Sequence, residues 1–218
     1  MDQVTASLIG TCIATIIPLL FVCFIIKEKG SKYILLYFCW GTLAGLLAFG
    51  FNNLLTGTQG QTERVTTAIA PVVEEFCKGL PILLFLIKKK KSIITVLIVY
   101  CAFASGIGFS IQESIYYFSQ TGGTAGDIAT LAVRTMTTAL MHGISTAVIG
   151  LGLMQLQKQG HILLPVIAGL FALGTGIHAL FNLLLPTNLA VIAALMPVGL
   201  YFAGMVFLNK AKGDEYEA

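Results

Sequence analysis

The chain has 218 residues, of which 56% are hydrophobic and 11% are charged. Soluble globular domains are about 45–50% apolar and about 25% charged, so this composition excludes an ordinary soluble domain and a disordered or collagen-like chain. The formal net charge is only +3, and no basic face is present that could follow the phosphates of a nucleic acid. The composition therefore predicts a protein embedded in a lipid bilayer, with no nucleic-acid partner.

Seven apolar runs are long enough to cross a bilayer, because about 20 apolar residues span its hydrocarbon core. The runs lie at about residues 4–26, 33–55, 65–87, 92–118, 128–156, 162–185 and 188–208. We therefore predict an all-α fold, a polytopic membrane helical bundle of about seven transmembrane helices. The loops are short and no internal repeat is present, so we predict a single integral membrane domain over residues 1–218.

Positive charge predicts the orientation of this bundle, because lysine and arginine mark the cytoplasmic side of a membrane. The segments after the odd-numbered runs carry lysines, namely Lys27, Lys29, Lys32, Lys88, Lys89, Lys90, Lys91, Lys158, Lys210 and Lys212. The opposite loops hold only Glu63, Arg64 and Asp127. We therefore predict the N-terminus outside and the C-terminus inside, and we expect a prokaryotic plasma membrane as the location.

Small residues at helical spacing predict close contacts between helices. Gly41 and Gly45 form a GxxxG motif in the second run, and Gly106 and Gly108 lie in the fourth. Such motifs allow backbones to approach each other. We assign them to packing within the bundle, and the sequence indicates no particular oligomeric state.

Ionisable residues inside apolar runs are costly and usually functional. This chain has seven of them: Glu74, Glu75, Lys78, Glu113, Arg134, His142 and His178. All belong to the third to sixth runs, so we place the functional site in helices between about residues 65 and 185. At a rise of 1.5 Å per residue, they lie between the membrane midplane and its outer edge.

The spacing of these residues indicates how they pair. Lys78 lies four residues after Glu74 and three after Glu75, so one carboxylate can pair with the lysine while the other points elsewhere. Glu113 and Arg134 lie at similar depth, and we expect an ion pair because each would otherwise be an unpaired charge.

A carboxylate and two imidazoles in a membrane cavity can hydrolyse a peptide bond. Glu75 or Glu74 would act as the general base on water, and His142 and His178 would position the water or stabilise the oxyanion. Glu75, His142 and His178 also match the His₂Glu ligand set of a catalytic zinc site. The chain lacks the HExxH signature of common zinc proteases, so metal-free and zinc-dependent mechanisms both stay open here.

Four segments resemble the PrsW intramembrane proteases, a family within the wider group of CAAX prenyl endopeptidases and bacteriocin-processing enzymes. They are EEFCK (74–78), GFSIQES (108–114), the stretch 134–142 and HALFN (178–182). The resemblance implies that Glu74, Glu75, His142 and His178 are catalytic and that Lys78, Glu113, Arg134 and Asn182 support them. His178 and Asn182 are four residues apart and share a helix face, so we expect Asn182 to hold His178 or to bind the backbone of the substrate. Ser114 departs from the family pattern, which usually has Asn after the glutamate.

The resemblance implies an intramembrane endopeptidase that cleaves a membrane-anchored protein, such as an anti-sigma factor, on its extracytoplasmic side. A CAAX-type prenyl-protein endopeptidase is an alternative, although it would need a cytoplasmic entrance for a prenylated C-terminus. A non-proteolytic, ion-coupled membrane transporter is a second alternative, because buried Glu, His, Lys and Arg residues also build ion relays. No inverted repeat supports the transporter interpretation.

Overall fold

The computed structural model describes residues 2–25, 30–56, 69–87, 95–159 and 164–216, and these residues form seven α-helices and no strand. The helices are α1 (Gln3–Ile25), α2 (Ser31–Thr56), α3 (Ala70–Ile87), α4 (Thr95–Ser119), α5 (Ala125–Gln159), α6 (Leu164–Leu184) and α7 (Ala190–Tyr216). The predicted all-α bundle is confirmed. Three helices are longer than the apolar runs that predicted them: α2 and α5 extend at both ends, and α7 continues well past residue 208.

Within the described residues, six helices are long and apolar enough to cross a membrane, namely α1, α2, α4, α5, α6 and α7. The shorter α3 has 18 residues and carries Glu74, Glu75 and Lys78. The multi-pass membrane character is confirmed, while the crossing of α3 and the orientation of the termini stay predictions. Several charges that predicted the orientation lie outside the described residues: Lys27, Lys29, Glu63, Arg64, Lys88, Lys89, Lys90 and Lys91.

The centre of the bundle consists of α4 and α5. Residues 96–111 of α4 are all buried, whereas the surrounding helices expose large apolar side chains. Examples from α1, α2, α6 and α7 are Phe24, Leu54, Leu164 and Val206, which are between 72% and 80% exposed. Hydrocarbon is the solvent on such a surface, so this outward apolar face is the expected one for a membrane bundle.

Glycines set the spacing of α4 from its neighbours. A Cβ atom at Gly41 of α2 would lie 1.9 Å from the carbonyl oxygen of Ser105, and one at Gly108 would lie 2.1 Å from that of Phe38. On the opposite side, a Cβ at Gly106 would lie 2.0 Å from the carbonyl oxygen of His142. The close packing predicted at these positions is confirmed, and it brings the α5 backbone at His142 against α4.

Side-chain caps begin α1 and α5. Asp2 accepts a hydrogen bond from the backbone N–H of Thr5 at 2.8 Å, and this bond holds the pKa of Asp2 below its ordinary value. Thr124 and Asp127 cap α5 reciprocally, because each side chain accepts from the backbone N–H of the other. This capping box explains why α5 begins three residues before the apolar run.

A proline explains how α3 is held against α2. Pro81 has no N–H, so the carbonyl of Cys77 has no partner within the helix. The indole Nε1 of Trp40 donates to that carbonyl at 3.0 Å. One turn further along, the hydroxyl of Tyr37 donates to the carbonyl of Pro81 at 3.2 Å. Because the two contacts pair residues in opposite chain order, α3 runs antiparallel to α2. The charged side chains of α3 then lie on its other side, toward α4, α5 and α6.

Candidate active site

The carboxylate of Glu75 lies at the centre of a buried polar cluster formed by α3, α5 and α6. Its Oε1 accepts from Lys78 Nζ at 2.6 Å and Ser145 Oγ at 2.7 Å, and contacts His178 Nδ1 at 3.0 Å. Its Oε2 accepts from Thr146 Oγ1 at 3.1 Å. The side chain of Glu75 is 0% exposed. Both oxygens therefore have donors already, and neither faces an open space.

His178 is oriented by this contact. An ionised carboxylate only accepts hydrogen bonds, so Nδ1 of His178 carries the proton that it donates to Glu75. In the neutral ring the lone pair is then on Nε2, which lies 3.6 Å from Oε2 of Glu74. The resulting free imidazole nitrogen points at the other carboxylate of the pair.

Glu74 differs from its neighbour in environment. It lies about 100° around the helix from Glu75, and its side chain is 15% exposed. It lacks the four donors that surround Glu75, and its contact with His178 is longer than a normal hydrogen bond. Of the two adjacent carboxylates, Glu74 is the one whose side chain is partly exposed.

His142 is held at both ring nitrogens. Lys78 Nζ lies 2.9 Å from Nδ1, and because an ammonium group only donates, Nδ1 is the acceptor. The proton is therefore on Nε2, which donates to Oε2 of Glu113. The rings of His142 and His178 meet edge to face, with centroids 4.6 Å apart. Lys78 thus links Glu75 to His142 and joins the two halves of the cluster.

Glu113 and Arg134 form the outer rim of the cluster. Arg134 Nη2 donates to Oε1 of Glu113 at 3.1 Å, which confirms the predicted ion pair. The guanidinium also lies over the ring of Tyr117, 4.0 Å from its centroid. The side chains of Arg134 and Glu113 are 19% and 24% exposed, so they border the accessible side together with Glu74.

Residues 29–209 match the family model of the PrsW family intramembrane metalloproteases. The chain belongs to the PrsW family. As a member, it is an intramembrane peptidase and a multi-pass membrane protein. No curated protein and no solved structure matched the chain. The family resemblance carried by the four sequence segments is thereby confirmed.

The donors present in this PrsW protease fit a metal site. Ligand atoms of Glu74, His142 and His178 all lie within 4.8 Å of one another in the described residues. His178 has the arrangement common in metal-binding histidines, with one nitrogen bonded to a carboxylate and the other free. His142 would have to exchange Lys78 or Glu113 for the ion. The sequence predicted Glu75 with the two histidines, whereas the ligand atoms that lie close together are those of Glu74, His142 and His178, and Glu75 already has four donors.

Two residues of the cluster were not predicted from sequence. Ser145 and Thr146 follow His142 by three and four residues, a spacing that places them on the same side of α5. Asn182 was predicted to hold His178 or to bind the substrate backbone. Glu75 holds His178 instead, and the side chain of Asn182 has no hydrogen bond to any residue that the structure describes.

Proposed function

We propose that this chain is an intramembrane endopeptidase that hydrolyses a peptide bond of a membrane-anchored protein from the outer side of the membrane. The observation that carries the proposal is the contrast between two adjacent glutamates. Glu75 is buried and saturated, whereas Glu74 is 15% exposed and faces the free nitrogen of His178. A water molecule beside Glu74 would contact a carboxylate and an imidazole together, which is the arrangement that water activation requires.

Each residue has a distinct role in this proposal. Glu74 binds the attacking water and takes up its proton, and His178 contacts the same water through Nε2. Glu113, held by Arg134, keeps His142 in position beside them. Asn182, which lies one turn from His178, is free to bind the backbone of the substrate. A zinc ion held by Glu74, His142 and His178 would supply Lewis-acid chemistry at the same place.

The position of the cluster supports an outer entrance. Glu74 lies in the first half of α3, Glu113 and His178 lie in the second halves of α4 and α6, and His142 lies at the middle of α5. Neighbouring helices run antiparallel, so Glu74, Glu113 and His178 are in the half of the bundle where α1 begins, and His142 lies beside them at mid-depth. The positive-inside rule makes that half the outer one. An anti-sigma-factor-like substrate suits this side, whereas a CAAX-type substrate needs access from the cytoplasm.

Cleavage by the purified protein tests the proposal. In detergent, the wild type should cleave a single-span, membrane-anchored protein substrate, and Glu74→Gln should reduce the rate by about 10²–10⁴-fold, the usual contribution of a general base. The matched control is Asp127→Asn, which removes a carboxylate that caps α5 outside the cluster and should retain the wild-type rate. Equal rates for Glu74→Gln and wild type would overturn the role of Glu74. Cleavage of a prenylated C-terminal peptide alone would favour the CAAX alternative.

Metal analysis tests the choice of mechanism. The metal mechanism predicts about one equivalent of bound zinc, and it predicts that Glu74→Gln and His178→Ala lose this zinc. It also predicts that chelation removes the activity and that added zinc restores it. Full activity in a preparation that contains no metal would instead establish Glu74 as a metal-free general base.

A further inference from the structure

We propose that Ser145 and Thr146 are positioning residues for the peptidase reaction, because they hold Glu75 in the orientation that fixes the tautomer of His178. This inference rests on the proposed function, in which the free Nε2 of His178 faces the reacting water. It concerns two hydroxyl groups on α5 that touch neither Glu74 nor the accessible side of the cluster. Both side chains are 0% exposed.

The two hydroxyls donate to different oxygens of the Glu75 carboxylate. Ser145 Oγ donates to Oε1 at 2.7 Å and Thr146 Oγ1 donates to Oε2 at 3.1 Å. Each hydroxyl also lies near the carbonyl oxygen of His142, at 3.1 and 3.0 Å. A hydroxyl has one proton, so donation to the carboxylate and to the carbonyl are alternatives. The ionised carboxylate is the stronger acceptor of the two.

This two-point contact fixes the plane of the carboxylate. Lys78 and His178 both meet Oε1, so on their own they leave the group free to rotate about the bond that carries it. Thr146 holds Oε2, and Ser145 shares Oε1 from the side of α5. With the plane fixed, Oε1 stays in front of Nδ1 of His178, and the proton of the ring stays on that nitrogen.

As a consequence, the nitrogen of His178 that faces Glu74, Nε2, keeps its lone pair. If Nδ1 lost its acceptor, the ring could carry its proton on Nε2 instead. It would then present a donor to the carboxylate of Glu74 and no lone pair to water or to a metal ion. Partners that orient a metal-binding or catalytic histidine in this way typically contribute 10–100-fold to metal affinity or activity.

A matched control lies about two turns away on the same helix. Thr138 is as buried as Ser145 and Thr146, at 1% exposed. Its hydroxyl, however, donates within its own helix, to the carbonyl of Arg134 at 2.6 Å. Thr138→Val therefore removes a buried hydroxyl from α5 without touching Glu75.

The experiment measures both the reaction and the tautomer. In Thr146→Val and in Ser145→Ala/Thr146→Val, we expect kcat to fall by about 10–100-fold with KM little changed. Thr138→Val should keep the wild-type kcat. Thr146→Ser keeps a hydroxyl at position 146, so this variant should keep most of the wild-type kcat. The chain has three histidines, so ¹⁵N-histidine NMR of the metal-free protein in a His161→Gln background leaves two rings to assign. The Nδ1–H tautomer of His178 should dominate in that background and be lost in the double variant.

The outcomes separate this inference from the proposed function. An unchanged His178 tautomer in the double variant overturns the inference, and so does an equal loss of kcat in Thr138→Val. If the double variant does not fold, the comparison of Thr146→Val with Thr146→Ser decides by the same two readouts. A wild type that cleaves no membrane-anchored substrate contradicts the proposed function, and the NMR measurement still tests the role of Ser145 and Thr146.

Discussion

At the scale of single residues, two adjacent glutamates have opposite environments. Glu75 is buried with four hydrogen-bond donors, and Glu74 is partly exposed with a single long contact to His178. An ion pair such as Glu75–Lys78 inside a bilayer is costly to break, because removal of one partner leaves a buried charge uncompensated. The two positions should therefore respond to the same substitution in different ways.

Glu75→Gln should lower the free energy of unfolding by about 3–5 kcal/mol, because it leaves the Lys78 ammonium without its ionised partner. Glu74→Gln should change stability much less, although we expect it to reduce the cleavage rate strongly. Thermal unfolding of both variants in the same detergent measures the difference. The assignment of roles would be wrong if Glu74→Gln were the more destabilised of the two.

At the scale of elements, a side chain of α2 replaces the backbone hydrogen bond that α3 loses at Pro81. The carbonyl of Cys77 accepts from Trp40 of α2 rather than from its own helix. The same contact holds α3, which carries both glutamates, against α2. Glycines play the complementary role at α4, where Gly106 admits the α5 backbone beside His142.

Trp40→Phe should destabilise the protein by about 1–3 kcal/mol, because the Cys77 carbonyl then has no donor in a medium without water. In a Pro81→Ala background, residue 81 has an N–H of its own for that carbonyl, and Trp40→Phe should cost less. A double-mutant cycle on the unfolding free energies measures this coupling. Additive effects of the two substitutions would contradict the explanation.

At the scale of the whole molecule, the number of crossings decides where the termini lie. Among the described residues, six helices are long and apolar enough to span a bilayer. The shorter α3 carries three ionisable residues, which contact side chains of α5 and α6. Because Glu75 and Lys78 pair with each other inside the bundle, α3 does not need an apolar surface all around in order to cross.

Seven crossings place the N-terminus and the C-terminus on opposite sides, whereas six place them on the same side. We expect the N-terminus outside and the C-terminus inside. Cysteine-containing tags at each terminus, labelled with a membrane-impermeant reagent in intact cells and in inverted vesicles, measure this directly. Labelling of both tags in the same preparation would show that α3 does not cross.

The helices and the set of ionisable residues were predictable from the sequence for clear reasons. Hydrocarbon forces long apolar runs, so the helix positions follow from composition along the chain. The same cost makes each buried charge conspicuous, and the ion pair of Glu113 with Arg134 followed from matching depths. The predicted helix boundaries were less accurate where a cap sets the end of the helix, as at the start of α5, where Thr124 and Asp127 cap each other.

The sequence by itself determined that the chain is a membrane bundle with its chemistry in α3 to α6. Only the tertiary structure decided that Glu75 is the held carboxylate and Glu74 the accessible one. Adjacent residues of a helix point about 100° apart, so their roles depend on which neighbouring helix each one faces. Ser145 and Thr146 became part of the site for the same reason, because the packing of α5 against α3 brings their hydroxyls to Glu75.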